Sequence, residues 1–155
     1  MATASSTATL VVNPAFLQEI KDSNPDLYQS IEQLREFCRS DDEPGKRCRR
    51  LTRLLDSLRD QLALQFSLEE SYGYLSVPHH PSRTLGELAA QTQSEHGMLY
   101  MQLSELAEQA EELQYRGVEL KQLHRLIDRS CDFYDQLQQH EQSEHELIRR
   151  ACDLS

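Results

Sequence analysis

The C-terminal stretch "QQHEQSEHELI", residues 138–148, places two histidines and three glutamates in eleven positions. His140 and Glu144 are four residues apart, so on a helix their side chains lie on one face about one turn apart. Imidazole nitrogen and carboxylate oxygen suit iron, manganese or zinc, and helical bundles hold such ions between side chains of facing helices. The pair therefore indicates a metal site if it points into a core.

Apolar residues recur every three or four positions in four segments of the chain, roughly 14–38, 46–75, 84–113 and 118–151. This spacing predicts four amphipathic helices of about 25 to 30 residues, and no strand is predicted. The breaks between them are short, so neighbouring helices should run antiparallel. We therefore expect an all-α protein, an up-down-up-down four-helix bundle.

Each predicted helix carries at least one polar side chain on its otherwise apolar face. Burying an unpaired polar group costs on the order of 1–3 kcal/mol, so we expect these side chains to meet in one layer inside the bundle. The same helical phase places Glu141, His145 and Glu146 toward the flanks or solvent. The inward polar residues are Asn24, Gln65, Glu69, His96, His140 and Glu144.

Length and charge limit the class of protein. The 155 residues suit one domain, with residues 1–12 as a disordered leader and 13–155 as the bundle. The net charge of −10 argues against a nucleic-acid or anionic-membrane partner, and no segment approaches the roughly 20 apolar residues that span a bilayer. The "PHHP" histidines, His79 and His80, are expected in an exposed loop.

The four cysteines are widely spaced and form no CxxC pair. This pattern disfavours a zinc or redox motif and predicts free, mostly buried thiols in a reducing cytoplasm. We therefore expect a cytoplasmic protein.

Four short motifs resemble those of the hemerythrin-like, or HHE cation-binding, family over roughly residues 14–152. "LQQHEQSEHELI" is similar to the HxxxE motif of the family's last helix, and "QSEHGML" to the EH pair of its third. "LALQFSLEESYGYL" resembles the second-helix motif HFxxEE, with Gln65 at the histidine position. "DSNPDLYQSIEQL" resembles the first-helix motif, with Asn24 at the histidine position.

The resemblance implies a non-haem iron centre inside the bundle, with two irons bridged by carboxylates and dioxygen as the small ligand. Amides are weaker ligands than imidazole, so Asn24 and Gln65 count as weak or supporting ligands, and Tyr100 as a phenolate or hydrogen-bond donor. The remaining set is enough for one divalent ion and marginal for two. That set is Glu69, His96, His140 and Glu144.

Two functions from different classes remain open. The first is a hemerythrin-like domain that binds a metal, iron by preference and mononuclear or dinuclear, in an oxygen- or iron-binding or sensing role and not as an enzyme. The second is a family member without metal, whose polar layer is closed by hydrogen bonds and which serves as a helical protein-interaction module. A di-metal oxidase or peroxidase is less favoured because its usual Glu-rich ligand set is incomplete. The sequence names no protein partner.

Overall fold

The computed structural model describes residues 9–40, 43–78 and 83–153, which are mainly helical. A π-helical turn, Glu69–Gly73, follows the third of five α-helices, and two short strands pair with each other. The helices are α1 (Pro14–Asp22), α2 (Pro25–Cys38), α3 (Pro44–Leu68), α4 (Arg83–Arg116) and α5 (Leu120–Asp153). The strands are β1 (Thr9–Val12) and β2 (Tyr74–Val77).

The long helices pack side by side around a leucine-rich core. Helix α4 contacts α3 and α5, and α2 contacts both α3 and α5. Strands β1 and β2 together form a two-stranded β-ribbon. A smaller apolar cluster, which includes Val12, Leu17, Tyr74 and Leu147, lies where this β-ribbon and α1 cover one end of these helices. The polar residues selected from the sequence lie toward this covered end.

The first predicted helix is broken in two. Helix α1 ends at Asp22 and α2 begins at Pro25, and the Asn24 side chain accepts a hydrogen bond from the Leu27 amide at 3.3 Å. Proline lacks an amide hydrogen and disfavours helical geometry in the residue before it, so a helix tends to end there. Asn24 is therefore the cap of α2 and not an inward side chain of one continuous helix.

The prediction that the chain has no strand is wrong. Strand β1 pairs antiparallel with β2, with Thr9 opposite Val77 and Val12 opposite Tyr74. The predicted leader included residues 9–12, which form β1; residues 1–8 lie outside the described part of the chain, as do His79 and His80. Four-residue strands are too short to show alternation in a sequence.

The second predicted helix ends earlier than expected. It changes from α-helical to π-helical geometry at Glu69 and becomes extended at Tyr74. The Gly73 carbonyl accepts a hydrogen bond from the Asn13 amide at 2.8 Å, and a Cβ on Gly73 would lie 2.9 Å from Leu17 Cδ1. Glycine at this position therefore lets α1 approach the π-helical turn closely.

The prediction of free thiols is wrong for two of the four cysteines. Cys38 at the end of α2 and Cys131 on α5 form a disulfide, with Cα atoms 5.9 Å apart. The Cys48 thiol is buried, and Cys152 is exposed. Residues 93 positions apart meet here only because α2 packs on α5, which the sequence spacing does not reveal.

Bilayer crossing requires a long apolar helix, and none of the helices within the described ranges combines the necessary length with the necessary apolar content.

The helical phase of α3 predicts a contrast between two of its leucines. Leu58 is fully buried, whereas Leu64 on the same helix is 60% exposed. We expect Leu58→Ala to lower the free energy of unfolding by about 2–5 kcal/mol, because it empties a packed site. Leu64→Ala should change it by less than about 0.5 kcal/mol. If urea unfolding shows equal losses in the free energy of unfolding for the two variants, the assignment of which face of α3 is buried is wrong.

Candidate metal centre

The structure brings together the four ligand candidates selected from the sequence. Glu69 opens the π-helical turn, His96 lies on α4, and His140 and Glu144 lie one turn apart on α5. All four are buried, and one ligand atom from each lies within 4.8 Å of the others. Two imidazoles and two carboxylates from three elements thus face one small volume.

The inner atoms of this group are close together. His96 Nε2 lies 3.1 Å from Glu144 Oε2 and 3.2 Å from Glu69 Oε1, and His140 Nε2 lies 3.3 Å from Glu144 Oε1. Among the described residues, neither Glu69 Oε1 nor His140 Nε2 has a hydrogen-bond partner, although both atoms are buried. Buried polar atoms usually have hydrogen-bond partners, so these two are free to accept a ligand.

The outer nitrogen of His140 is held by a carboxylate. Its Nδ1 lies 2.8 Å from Glu95 Oε1, and the Glu95 side chain is 26% exposed. A proton on Nδ1 that is donated to Glu95 leaves the Nε2 lone pair of a neutral imidazole facing the other ligand candidates. Metal-binding histidines are commonly oriented by a carboxylate in this way.

Aromatic rings fix both imidazoles. Phe66 stacks on His96 with ring centroids 4.1 Å apart and meets His140 edge-on at 5.6 Å. Tyr74 lies perpendicular to His96 at 5.8 Å, and its hydroxyl donates to Glu144 Oε2 at 2.8 Å. The rings therefore have little freedom to turn, and Tyr74 holds Glu144 in place.

A lysine that the sequence did not single out lies at the centre of the carboxylates. Lys21 is 3% exposed, and its Nζ lies 2.7 Å from Glu144 Oε1 and 3.0 Å from both Glu69 Oε2 and Glu141 Oε2. Tyr28 also donates to Glu141 Oε2, at 3.1 Å. One ammonium thus pairs with three buried carboxylates. We call these four residues the Lys21 cluster: Lys21, Glu69, Glu141 and Glu144.

The prediction that Glu141 faces the flank or solvent is wrong. Glu141 is 5% exposed, because α1 covers this side of α5 and brings Lys21 onto it. Lys21 follows Leu17 by four residues, a spacing as compatible with an inward face as that of Ile20. Carboxylates predicted to face the core need a cation nearby, and this requirement could have identified Lys21 from the sequence.

The amides at the two substituted positions form a chain of hydrogen bonds. Asn24 Nδ2 donates to Gln65 Oε1 at 3.0 Å, and Gln65 Nε2 donates to Glu69 Oε2 at 2.9 Å. Since both amide oxygens already accept hydrogen bonds, Asn24 and Gln65 support Glu69 instead of extending the ligand set. Tyr100 is 39% exposed, and the phenol that hydrogen-bonds Glu144 belongs to Tyr74.

The charges of the Lys21 cluster do not balance within it. Its three carboxylates and one ammonium carry a net charge of −2 when all are ionised, and Glu95 adds negative charge at the rim. Burial disfavours the charged form of Lys21, but Glu144, Glu141 and Glu69 outweigh burial and raise its pKa above the ordinary value. The ammonium therefore stays charged.

The two imidazoles can supply the missing positive charge as protons. Burial lowers the pKa of His96, but the neighbouring carboxylates of Glu144 and Glu69 raise it to about 9. The pKa of His140 is also raised, by Glu144 and Glu95 against the effect of burial. Burial opposes ionisation of Glu144, yet His140, His96 and Lys21 hold its pKa well below the usual range. Protons or a divalent cation can thus neutralise the site.

Comparison of the chain with protein-family models, with curated proteins and with solved structures gives no match.

Removing the ammonium should be far more costly than removing a surface cation. Lys21→Met leaves three carboxylates without their shared partner, and we expect metal-free protein to lose about 3–5 kcal/mol in the free energy of unfolding. The control is Arg35→Met, which removes an exposed ion pair with Glu32 and should cost at most about 1 kcal/mol. Urea unfolding with chelator present measures both, and similar losses would contradict the role of Lys21.

Proposed function

We propose that the chain binds one divalent transition-metal ion, with iron as the first candidate, in an iron- or oxygen-binding or sensing role. The ligands are Glu69, His96, His140 and Glu144, in a hemerythrin-like up-down-up-down bundle whose first arm is α1 and α2 together. The observation that carries the proposal is that one ligand atom from each of these four buried side chains lies within 4.8 Å of the others.

The distances within the group support a metal. Ions with bonds of about 2.0–2.2 Å to nitrogen and oxygen separate neighbouring ligand atoms by about 3.0–3.5 Å. The three nitrogen–oxygen contacts of His96 and His140 with the carboxylates span 3.1–3.3 Å. An ion between them would give partners to Glu69 Oε1 and His140 Nε2.

Charge supports a single ion. A divalent cation would neutralise the net charge of −2 on the Lys21 cluster without protonating either imidazole. Glu69 directs Oε1 toward His96 and Oε2 toward Lys21, and Glu144 likewise divides its oxygens between His96 and Lys21. The Lys21 ammonium thus occupies the position where Glu69 and Glu144 could bind a second ion. Its positive charge would repel a second ion there.

The surrounding residues would hold and shield the ion. Glu95 orients His140, Tyr74 orients Glu144, and Phe66 covers both imidazoles against water. Bound iron would supply one-electron redox chemistry and a position for a small ligand such as dioxygen.

The second candidate is a metal-free helical interaction module. It is favoured by the three ion pairs of Lys21 and by the raised pKa of His96, because these let protons neutralise the cluster when no metal is present. In that case the polar layer fixes the register of the helices, and function lies on the surface.

Metal analysis of protein purified without a histidine tag separates the two candidates. We expect about one iron ion per chain after loading with Fe(II), and a lower melting temperature when chelator removes it, because ion binding adds to stability. His140→Ala should abolish stoichiometric binding. The control His145→Ala changes an exposed histidine of the same helix and should leave binding unchanged.

Two outcomes of that experiment contradict the metal proposal. One is a parent chain that binds no iron, manganese or zinc and whose melting temperature does not respond to chelator. The other is equal loss of metal in His140→Ala and His145→Ala, which would indicate binding by surface histidines.

A further inference from the structure

The segment "KRCRRLTR", residues 46–53, concentrates positive charge in an acidic protein. It holds five of the sixteen lysines and arginines of the chain, and no acidic residue occurs between positions 44 and 55. The whole chain has a net charge of −10. A concentration of this kind creates a local positive potential on an otherwise acidic protein.

Four of these cations share one face of α3. Lys46, Arg49, Arg50 and Arg53 have spacings of three, one and three residues, so their side chains project from the same side of the helix. Together they line a groove of about 640 Å³ between α2 and α3. The groove contains one carboxylate, that of Glu36, so its lining carries a net charge of +3.

Internal ion pairing does not account for three of the four cations on this face. Within the described ranges, no carboxylate lies within 4 Å of Lys46, Arg49 or Arg53, and all three are exposed. Elsewhere in the chain, arginines such as Arg59 and Arg149 pair with an acid three residues away. Like charges three and four residues apart on a helix repel each other. An anion bound in the groove would reduce this repulsion.

We propose that this groove, the α2–α3 basic groove, binds a small anion that carries two or more phosphate groups. Lys46 and Arg53 are seven residues apart, about 10 Å along the helix, which matches a few adjacent phosphates but not a long polymer. Arginine side chains bind phosphate oxygens through two parallel N–H donors. Beyond Arg53, the buried Gln61 Oε1 lacks a described hydrogen-bond partner and can accept one from a ligand hydroxyl.

The lining disfavours nucleic acid as the occupant. None of the residues that line the groove is aromatic, so bases have no ring on which to stack. A longer polyanion would also extend beyond the groove over a chain whose net charge is strongly negative.

Isothermal titration of the full chain with inorganic tripolyphosphate tests the proposal. We expect one binding site per chain in 50 mM salt and weaker binding in 200 mM salt. The double variant Arg49→Gln/Arg53→Gln should bind at least tenfold more weakly. The matched control Lys121→Gln/Arg125→Gln makes the same change in net charge at two exposed positions on α5 and should bind like the parent. Circular dichroism checks that both variants are folded.

Three results would overturn the proposal. The first is no binding of tripolyphosphate by the parent in 50 mM salt. The second is an equal loss of affinity in both double variants, which would show a response to net charge alone. The third is tighter binding of a twelve-nucleotide single-stranded DNA than of tripolyphosphate, which would make nucleic acid the occupant. None of these results depends on whether the metal site is filled.

Discussion

The contact of the Lys21 ammonium with three buried carboxylates constrains the rest of the structure. Unpaired, Glu69, Glu141 and Glu144 could not remain ionised in a core at an acceptable cost in free energy. The ammonium reaches them only because α1 lies over the π-helical turn and α5, where glycine at position 73 allows the close approach of Leu17. The end of the protein that holds the Lys21 cluster is formed by three features: the break at Asn24, the π-helical turn and the β-ribbon.

The same contact shapes the chemistry that the site can support. Lys21 contacts Glu69 Oε2 and Glu144 Oε1, while His96 faces the other oxygen of each of these carboxylates. The proposed ion and the Lys21 ammonium would therefore share these carboxylates as two neighbouring positive charges. Protons on the imidazoles and a metal ion are alternative ways to neutralise the same carboxylates, so metal binding should be linked to proton release.

Helical spacing in the sequence identified the buried polar residues of the long helices. Gln65, Glu69, His96, His140 and Glu144 are all buried, because a stripe that repeats every three to four residues fixes one face of a long helix. The fold was predicted less completely. The strands are too short to show a period, and the break at Asn24 was overlooked although Pro25 marks it.

The residues that were missed come from elements whose position depends on tertiary packing. Ile20 and Lys21 fit the inward face of α1 equally well by spacing, and Tyr74 reaches the site from a strand beyond the end of α3. Glu141 is buried by contact with α1, and the Cys38–Cys131 disulfide joins helices far apart in sequence. Membership of the hemerythrin-like family stays a proposal that rests on short motifs and on this site.

We propose that Lys21 limits the site to one metal ion. X-ray diffraction from crystals grown with Fe(II), with anomalous data collected at the iron edge, tests it most directly. We expect one anomalous peak at about 2.0–2.3 Å from ligand atoms of Glu69, His96, His140 and Glu144, with Lys21 Nζ still in contact with both Glu69 and Glu144. Two peaks with Lys21 displaced, or no peak with the side chains unchanged, would contradict it.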